Sequence, residues 1–270
     1  MPHAEARGAR IYYEVHGAGE PLLLVPGFGA VIPVYWANLR ELARRFRVIA
    51  FDPRGAGRSD SPDGAYTMET FADDAAAVLD AAGADAAHVF GTSFGGMIAM
   101  HMALRHPRRV RRLVLGCASA GGPGHVPPPP ENVARFLAAG SITDPGEAVR
   151  STYFTHYSDA WAAAHDAELI ARARENEWLR ATPAGRAGQL AAVQGHDVAA
   201  RLSEIRHQTL VLHGGEDGMV PVENGRVLAR GIPGARLIVY PKGRHVFFAE
   251  LAEQVNADIA AFLAEDGVSK

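Results

Sequence analysis

Short apolar runs recur along the chain and divide it into elements. Residues 9–16 (ARIYYEVH) mix apolar and polar positions and are followed by Gly17 and Gly19. Leu22-Leu23-Leu24-Val25 is the first continuous run, and Pro26-Gly27 stops it. Similar runs are Val48 to Phe51, His88 to Phe90, Leu113 to Leu115, Leu210 to Leu212 and Leu237 to Val239. Runs that are apolar on both faces suit parallel strands covered by helices on either side. Helical spacing lies between them. Phe71, Ala75, Val78, Leu79 and Ala82 share one face, with Thr67 as N-cap and Gly83 just past the end. Leu251, Val255, Ile259, Phe262 and Leu263 repeat that stripe near the C-terminus. The alternation predicts an open, mostly parallel α/β sheet flanked by helices.

The pattern breaks between about 120 and 204. Gly121-Gly122-Pro123-Gly124 and Pro127 to Pro130 form a stiff connection. Short Ala-rich helical stretches follow, with no strand among them, and the strand pattern resumes at His207-Gln208. The expected division is a core of 1–120 and 205–270, with 121–204 inserted as a helical cap.

Composition narrows the function classes. There are 27 basic and 30 acidic residues, a formal net charge of −3, which offers no electrostatic case for nucleic acid or an anionic membrane. Cys117 is the sole cysteine, so no internal disulfide can form. The first residues (MPHAEAR) lack the basic and apolar regions of a secretory signal, and no run of about 18 apolar residues is present. The expectation is a cytoplasmic protein outside the membrane.

The chemistry concentrates in three loops. Gly91-Thr92-Ser93-Phe94-Gly95-Gly96 lies between a strand ending at Phe90 and a helical run beginning at Met97. This is G-x-S-x-G in the setting of a nucleophile elbow, with a serine in a strained turn and glycines that let strand and helix pass closely. A hydroxyl needs a positioned base, and the base needs a carboxylate to orient it. In chain order the acid and then the histidine should follow the serine. Asp217 follows the strand Thr209 to Leu212, and His245 follows the strand Arg236 to Tyr240. Both loops leave the same sheet edge as Ser93. Glu216, adjacent on the same loop, is a rival acid. The oxyanion hole should use the backbone N–H groups of Phe94 and of Phe28, in the loop after the first long strand. Asp52 and Arg54 read as loop supports, His213 as a loop anchor and Cys117 as a buried thiol. None of the scattered histidines has zinc-ligand spacing, so no metal or organic cofactor is expected.

The segments LLLVPGFG (22–29), FDPRGAGRSD (51–60), GTSFGG (91–96), LVLHGGEDGMVP (210–221) and GRHVFFAE (243–250) together resemble the α/β-hydrolase superfamily over nearly the full chain. Within that superfamily it is similar to the branch with 3-oxoadipate enol-lactonases, small-molecule esterases and cofactor-free hydrolases with a helical cap. That resemblance implies the triad Ser93, Asp217 and His245, oxyanion donors at Phe28 and Phe94, and a pocket between core and cap. Two positions depart from the pattern. The first loop begins Pro26-Gly27 where His-Gly is usual. Thr92 and Val246 stand where carbon–carbon bond hydrolases often carry asparagine and an aromatic. Trp36, Val220 and Val246 neighbour the site loops and are candidate substrate-lining residues.

The function expected is hydrolysis of a small carboxylic ester or lactone through an acyl-enzyme, with that substrate and water as the partners. The alternatives are the same triad applied to carbon–carbon bond hydrolysis, lyase or acyl-transfer chemistry, or a ligand-binding protein without catalysis.

Overall fold

A computed structural model describes residues 2–265. Eight strands form one sheet: β1 (His3–Ala6), β2 (Ala9–His16), β3 (Pro21–Val25), β4 (Arg47–Phe51), β5 (Ala87–Thr92), β6 (Val110–Gly116), β7 (Thr209–Gly214) and β8 (Arg236–Tyr240). Their order across the sheet is β1-β2-β4-β3-β5-β6-β7-β8. The pairs β1–β2 and β2–β4 are antiparallel, and every later pair is parallel. The expected mostly parallel α/β sheet is therefore present. The apolar runs predicted six of its strands, and the mixed segment 9–16 became β2. Strand β1 had no such signal, because four residues at a sheet edge need no apolar run.

Each apolar run buries alternate residues on opposite faces. Leu23, Val25, Ile49, Phe51, Val89, Leu113, Leu115 and Val211 join one core, beside α2 (Met68–Ala81) and α3 (Phe94–Arg105). Leu22, Leu24, Val48, Ala50, Phe90, Val114, Leu210 and Leu212 join the other. That second face is covered by α1 (Leu39–Leu42), α10 (Phe247–Glu250) and α11 (Ala252–Ala264), while α9 (Val222–Gly231) adds Leu228 to the first. Thr67 caps α2 as expected, its side chain accepting from the Thr70 amide.

Between β6 and β7 lie α4 (Pro130–Ala139), α5 (Pro145–Arg150), α6 (Tyr153–His156), α7 (Asp159–Glu175) and α8 (Pro183–Gln194), and no strand of the sheet. An isolated bridge pairs Gly121 with Asp197 across this segment. Among the described residues no helix is long and apolar enough to cross a membrane.

Parallel pairing decides where the site lies. In register, Val25 sits beside Gly91, Thr92 beside Gly116, Gly116 beside Leu212 and Gly214 beside Tyr240. The loops after β3, β5, β6, β7 and β8 therefore all open on one edge.

Candidate active site

Ser93 links β5 to α3 at φ 55° and ψ −120°. A non-glycine residue held there stores strain of about 1–3 kcal/mol, and its surroundings must hold it in place. They do so through backbone bonds. The Ser93 N–H donates to Gly116 O at 2.7 Å, and Ser93 O accepts from the amides of Gly96 (2.9 Å) and Met97 (3.1 Å). The two motif glycines permit the turn by lacking side chains. A Cβ on Gly91 would lie 2.2 Å from Gly95 O, and one on Gly95 would lie 1.9 Å from Val25 O. The helix starts at Phe94 rather than Met97, because the turn itself supplies its first residues.

The acid and the histidine meet from adjacent strands. His245 Nδ1 lies 2.9 Å from Asp217 Oδ2 and 3.0 Å from Oδ1. Asp217 Oδ1 also accepts from the amides of Met219 and Val220, each at 2.8 Å. The Asp217 carboxylate is fully buried, and the His245 side chain remains 12% exposed. Bonds to Nδ1 leave Nε2 as the free ring nitrogen. Glu216 points to solvent, and its amide donates to Gly243 O. His213 is buried behind the acid. Its Nε2–H donates to Val220 O at 2.7 Å, burial lowers its pKa, and the neutral ring holds the acid loop.

Cys117 ties these parts together. It is fully buried at the end of β6 with φ 42°, and its amide donates to Leu212 O. The Ser93 amide faces its thiol. Its sulfur, one Asp217 oxygen and one His245 nitrogen lie within 4.8 Å of one another. Ser93, Asp217 and His245 thus share one neighbourhood. As a metal-donor set this cluster is poorly disposed. Burial pushes the thiol pKa well up, keeping it protonated, and the other two groups are already bonded to each other.

An aromatic circuit borders the serine. The rings of His245 and His156 lie 5.8 Å apart, His156 and Phe136 5.9 Å, Phe136 and Phe28 6.0 Å, and Phe28 and Phe94 6.4 Å. Burial, and then the neighbouring His245, hold the His156 pKa down to about 3, so this ring is neutral near pH 7. Neither the Phe28 nor the Phe94 amide donates a hydrogen bond to another described residue.

The segment between β6 and β7 holds the site loops by hydrogen bonds. The His245 amide donates to Thr155 O at 3.0 Å and the Val246 amide to His156 O at 2.9 Å. Asn132 Nδ2 donates to Gly218 O in the acid loop. From α8, the fully buried Gln189 accepts from the Gly29 amide at 2.8 Å and donates to Arg54 O at 3.0 Å. Asp52 accepts from the Ile32 amide and pairs with Arg58, while Arg54 pairs with the buried Asp74. The segment 51–60 is a support for the first loop, as its composition predicted.

Among the proposed lining residues, Trp36 lies under the Arg172 guanidinium at 3.9 Å, Val220 holds Asp217 by its amide, and Val246 is buried in the second core. Three residues that border the site, His156, Arg186 and Gln189, had no signal in the sequence. Each sits in the insertion, and tertiary contacts alone set its direction.

A model of the family described as "alpha/beta hydrolase fold" matches residues 20–251, and the chain belongs to this family. The chain is 34% identical to the putative carbamate hydrolase RutD of Azorhizobium caulinodans, over 98% of this chain and 99% of that protein. It is also 34% identical to the 2-hydroxymuconate semialdehyde hydrolase of Pseudomonas sp. (strain CF600), over 96% of this chain and 92% of that one. Among solved structures, Est816, an N-acyl homoserine lactone degrading enzyme, superposes with a TM-score of 0.79 at 31% identity, covering 97% of this chain and all of that one. The resemblance drawn from the five motifs is confirmed at the level of the family, and the protein is a hydrolase.

Proposed function

We propose that the protein hydrolyses a small carboxylic ester or lactone by a serine acyl-enzyme route. Ser93 Oγ attacks the carbonyl carbon, and His245 Nε2 takes its proton. Asp217 holds the imidazole by Nδ1 and stabilises the imidazolium that forms. The amides of Phe28 and Phe94 donate to the oxyanion. His245 then returns the proton to the leaving alkoxide, and a water deprotonated by the same nitrogen releases the acid. Residues 121–204 act as the cap, with His156 and Phe136 closing the pocket above Ser93. Every group this sequence needs is a side chain or amide of the chain.

The observation that carries the reading is the Asp217–His245 bond beside a serine held at φ 55°. Est816 lends weight to the lactone, since it is named for degrading one. The relatives named for carbamate and semialdehyde hydrolysis support a second reading, the same triad acting on a different bond. Product analysis separates the two readings. The experiment that tests both is hydrolysis of p-nitrophenyl acetate and butyrate by parent and Ser93→Ala protein. Loss of activity in the variant supports Ser93 as nucleophile, and parental activity in the variant removes it.

A further inference from the structure

Arginines in this protein are systematically partnered. Among the described residues, every other buried or half-buried arginine has an oxygen acceptor. Arg54 has Asp74, Arg58 has Asp52, Arg244 has Asp159, and Arg112 donates to the Phe262 carbonyl. Arg186 is the exception. It is half-buried on α8, yet its guanidinium has no hydrogen-bond acceptor and no carboxylate partner among the described residues. The charge that acts on it is a second cation, Arg180, whose own donors are committed to the carbonyls of Gly140 and Ile142.

Its place is also specific. The guanidinium carbon lies 5.3 Å from the centroid of Phe28, the residue whose amide was assigned to the oxyanion. A Cβ on Gly29 would lie 3.4 Å from Arg186 Nη1, and one on Gly140 would lie 2.4 Å from Nη2. Two glycines thus make room for the head group, one on the oxyanion loop and one at the end of α4. The following turn of α8 places Gln189 on the Gly29 amide, so the helix that carries Arg186 is fastened to that loop. Burial and the neighbouring Arg180 lower the Arg186 pKa from its usual value, though an arginine stays charged at any physiological pH. A half-buried cation without an acceptor is costly, and its natural complement is a planar anion that accepts two parallel hydrogen bonds.

We propose that Arg186 anchors a carboxylate of the substrate, so that the ester or lactone is an acidic one. This deepens the hydrolase reading and rests on it for the bond that is cleaved. The guanidinium determines which substrate is held and takes no part in the proton transfers at Ser93.

The test compares two esters with equal acyl chains, mono-p-nitrophenyl glutarate and p-nitrophenyl valerate. Losing a charge-assisted bidentate contact lowers kcat/KM roughly 10- to 100-fold. Arg186→Gln should lose that much on the glutarate ester, at least tenfold more than it loses on the valerate ester. Arg186→Lys should recover part of it, and added salt should narrow the preference of the parent. Equal losses on the two esters overturn the proposal. If the parent hydrolyses neither ester, the hydrolase reading fails by itself, and calorimetry with glutarate decides the anchor. Binding by the parent that weakens tenfold or more in Arg186→Gln supports it. Absent binding, or binding that the substitution leaves unchanged, contradicts it.

Discussion

At the scale of the residue, the site depends on which groups are held by others. Ser93 is held by its backbone, through Gly116 O on one side and the first amides of α3 on the other. His245 is held by Asp217, and Asp217 by two amides of its own loop. Asp217→Asn keeps the shape but presents an amide N–H or a weak acceptor to Nδ1, favouring the wrong tautomer. We expect kcat to fall on the order of 10²- to 10⁴-fold with a small change in KM, read by steady-state kinetics. A parental kcat in this variant would assign the acid elsewhere. The proposal of Asp217 over Glu216 rests on the spacing implied by the family resemblance, in which Glu216 should point the other way on the turn. Glu216 is exposed and Asp217 buried accordingly. Arg186, Gln189 and His156 were not legible. Each lies on a helix whose sequence satisfies helical spacing in many orientations, and only packing against the core loops selects one.

At the scale of the element, the loop after β3 is positioned from outside itself. Its Gly29 amide is bound by Gln189 of α8, and Gln189 in turn binds the loop at Arg54. The position of the Phe28 amide, the proposed oxyanion donor, therefore depends on how α8 docks on this loop. Gln189→Leu leaves the part-buried Gly29 amide and the buried Arg54 carbonyl unpaired, at about 1–3 kcal/mol for the buried group. A loop that shifts by about 1 Å can lose a hundredfold in rate. We expect kcat to fall by roughly 10- to 100-fold and the unfolding midpoint to drop, measured on one preparation by kinetics and calorimetry. A drop in midpoint with kcat unchanged would mean that Gln189 only supports the fold. The elements themselves were readable where a run is buried on both faces. Strand β1 was not, since a short antiparallel edge carries no such run. The start of α3 was not either, since Gly95 and Gly96 are poor helix formers that the elbow requires.

At the scale of the whole molecule, buried neutral histidines link stability to pH. His101 Nε2 bonds His196 Nδ1 at 3.2 Å, and His196 Nε2–H donates to Ser119 O at 2.8 Å, joining α3 to the exit of the insertion. Glu69 and Arg201 face the pair from α2 and from the turn after Asp197. Burial, and then His196, lower the His101 pKa to about 4, and His156 lies at about 3. In the unfolded chain both titrate near 6.5, at about the ordinary histidine value. Below that pH the unfolded chain binds protons that the folded protein refuses. The stability is therefore fully present above about 6.5 and is lost as pH falls towards 4 and then 3. The unfolding midpoint should fall between pH 7.5 and 4.5, and less steeply in His101→Gln, which keeps a donor for His196. An equal slope in parent and variant would contradict this linkage.

Whether Ser93 is the nucleophile is decided by the rate of p-nitrophenyl butyrate hydrolysis by parent and Ser93→Ala protein. We expect measurable turnover by the parent and a fall of at least about 10³-fold in the folded variant. A folded Ser93→Ala protein that hydrolyses the ester at the parental rate would contradict that role.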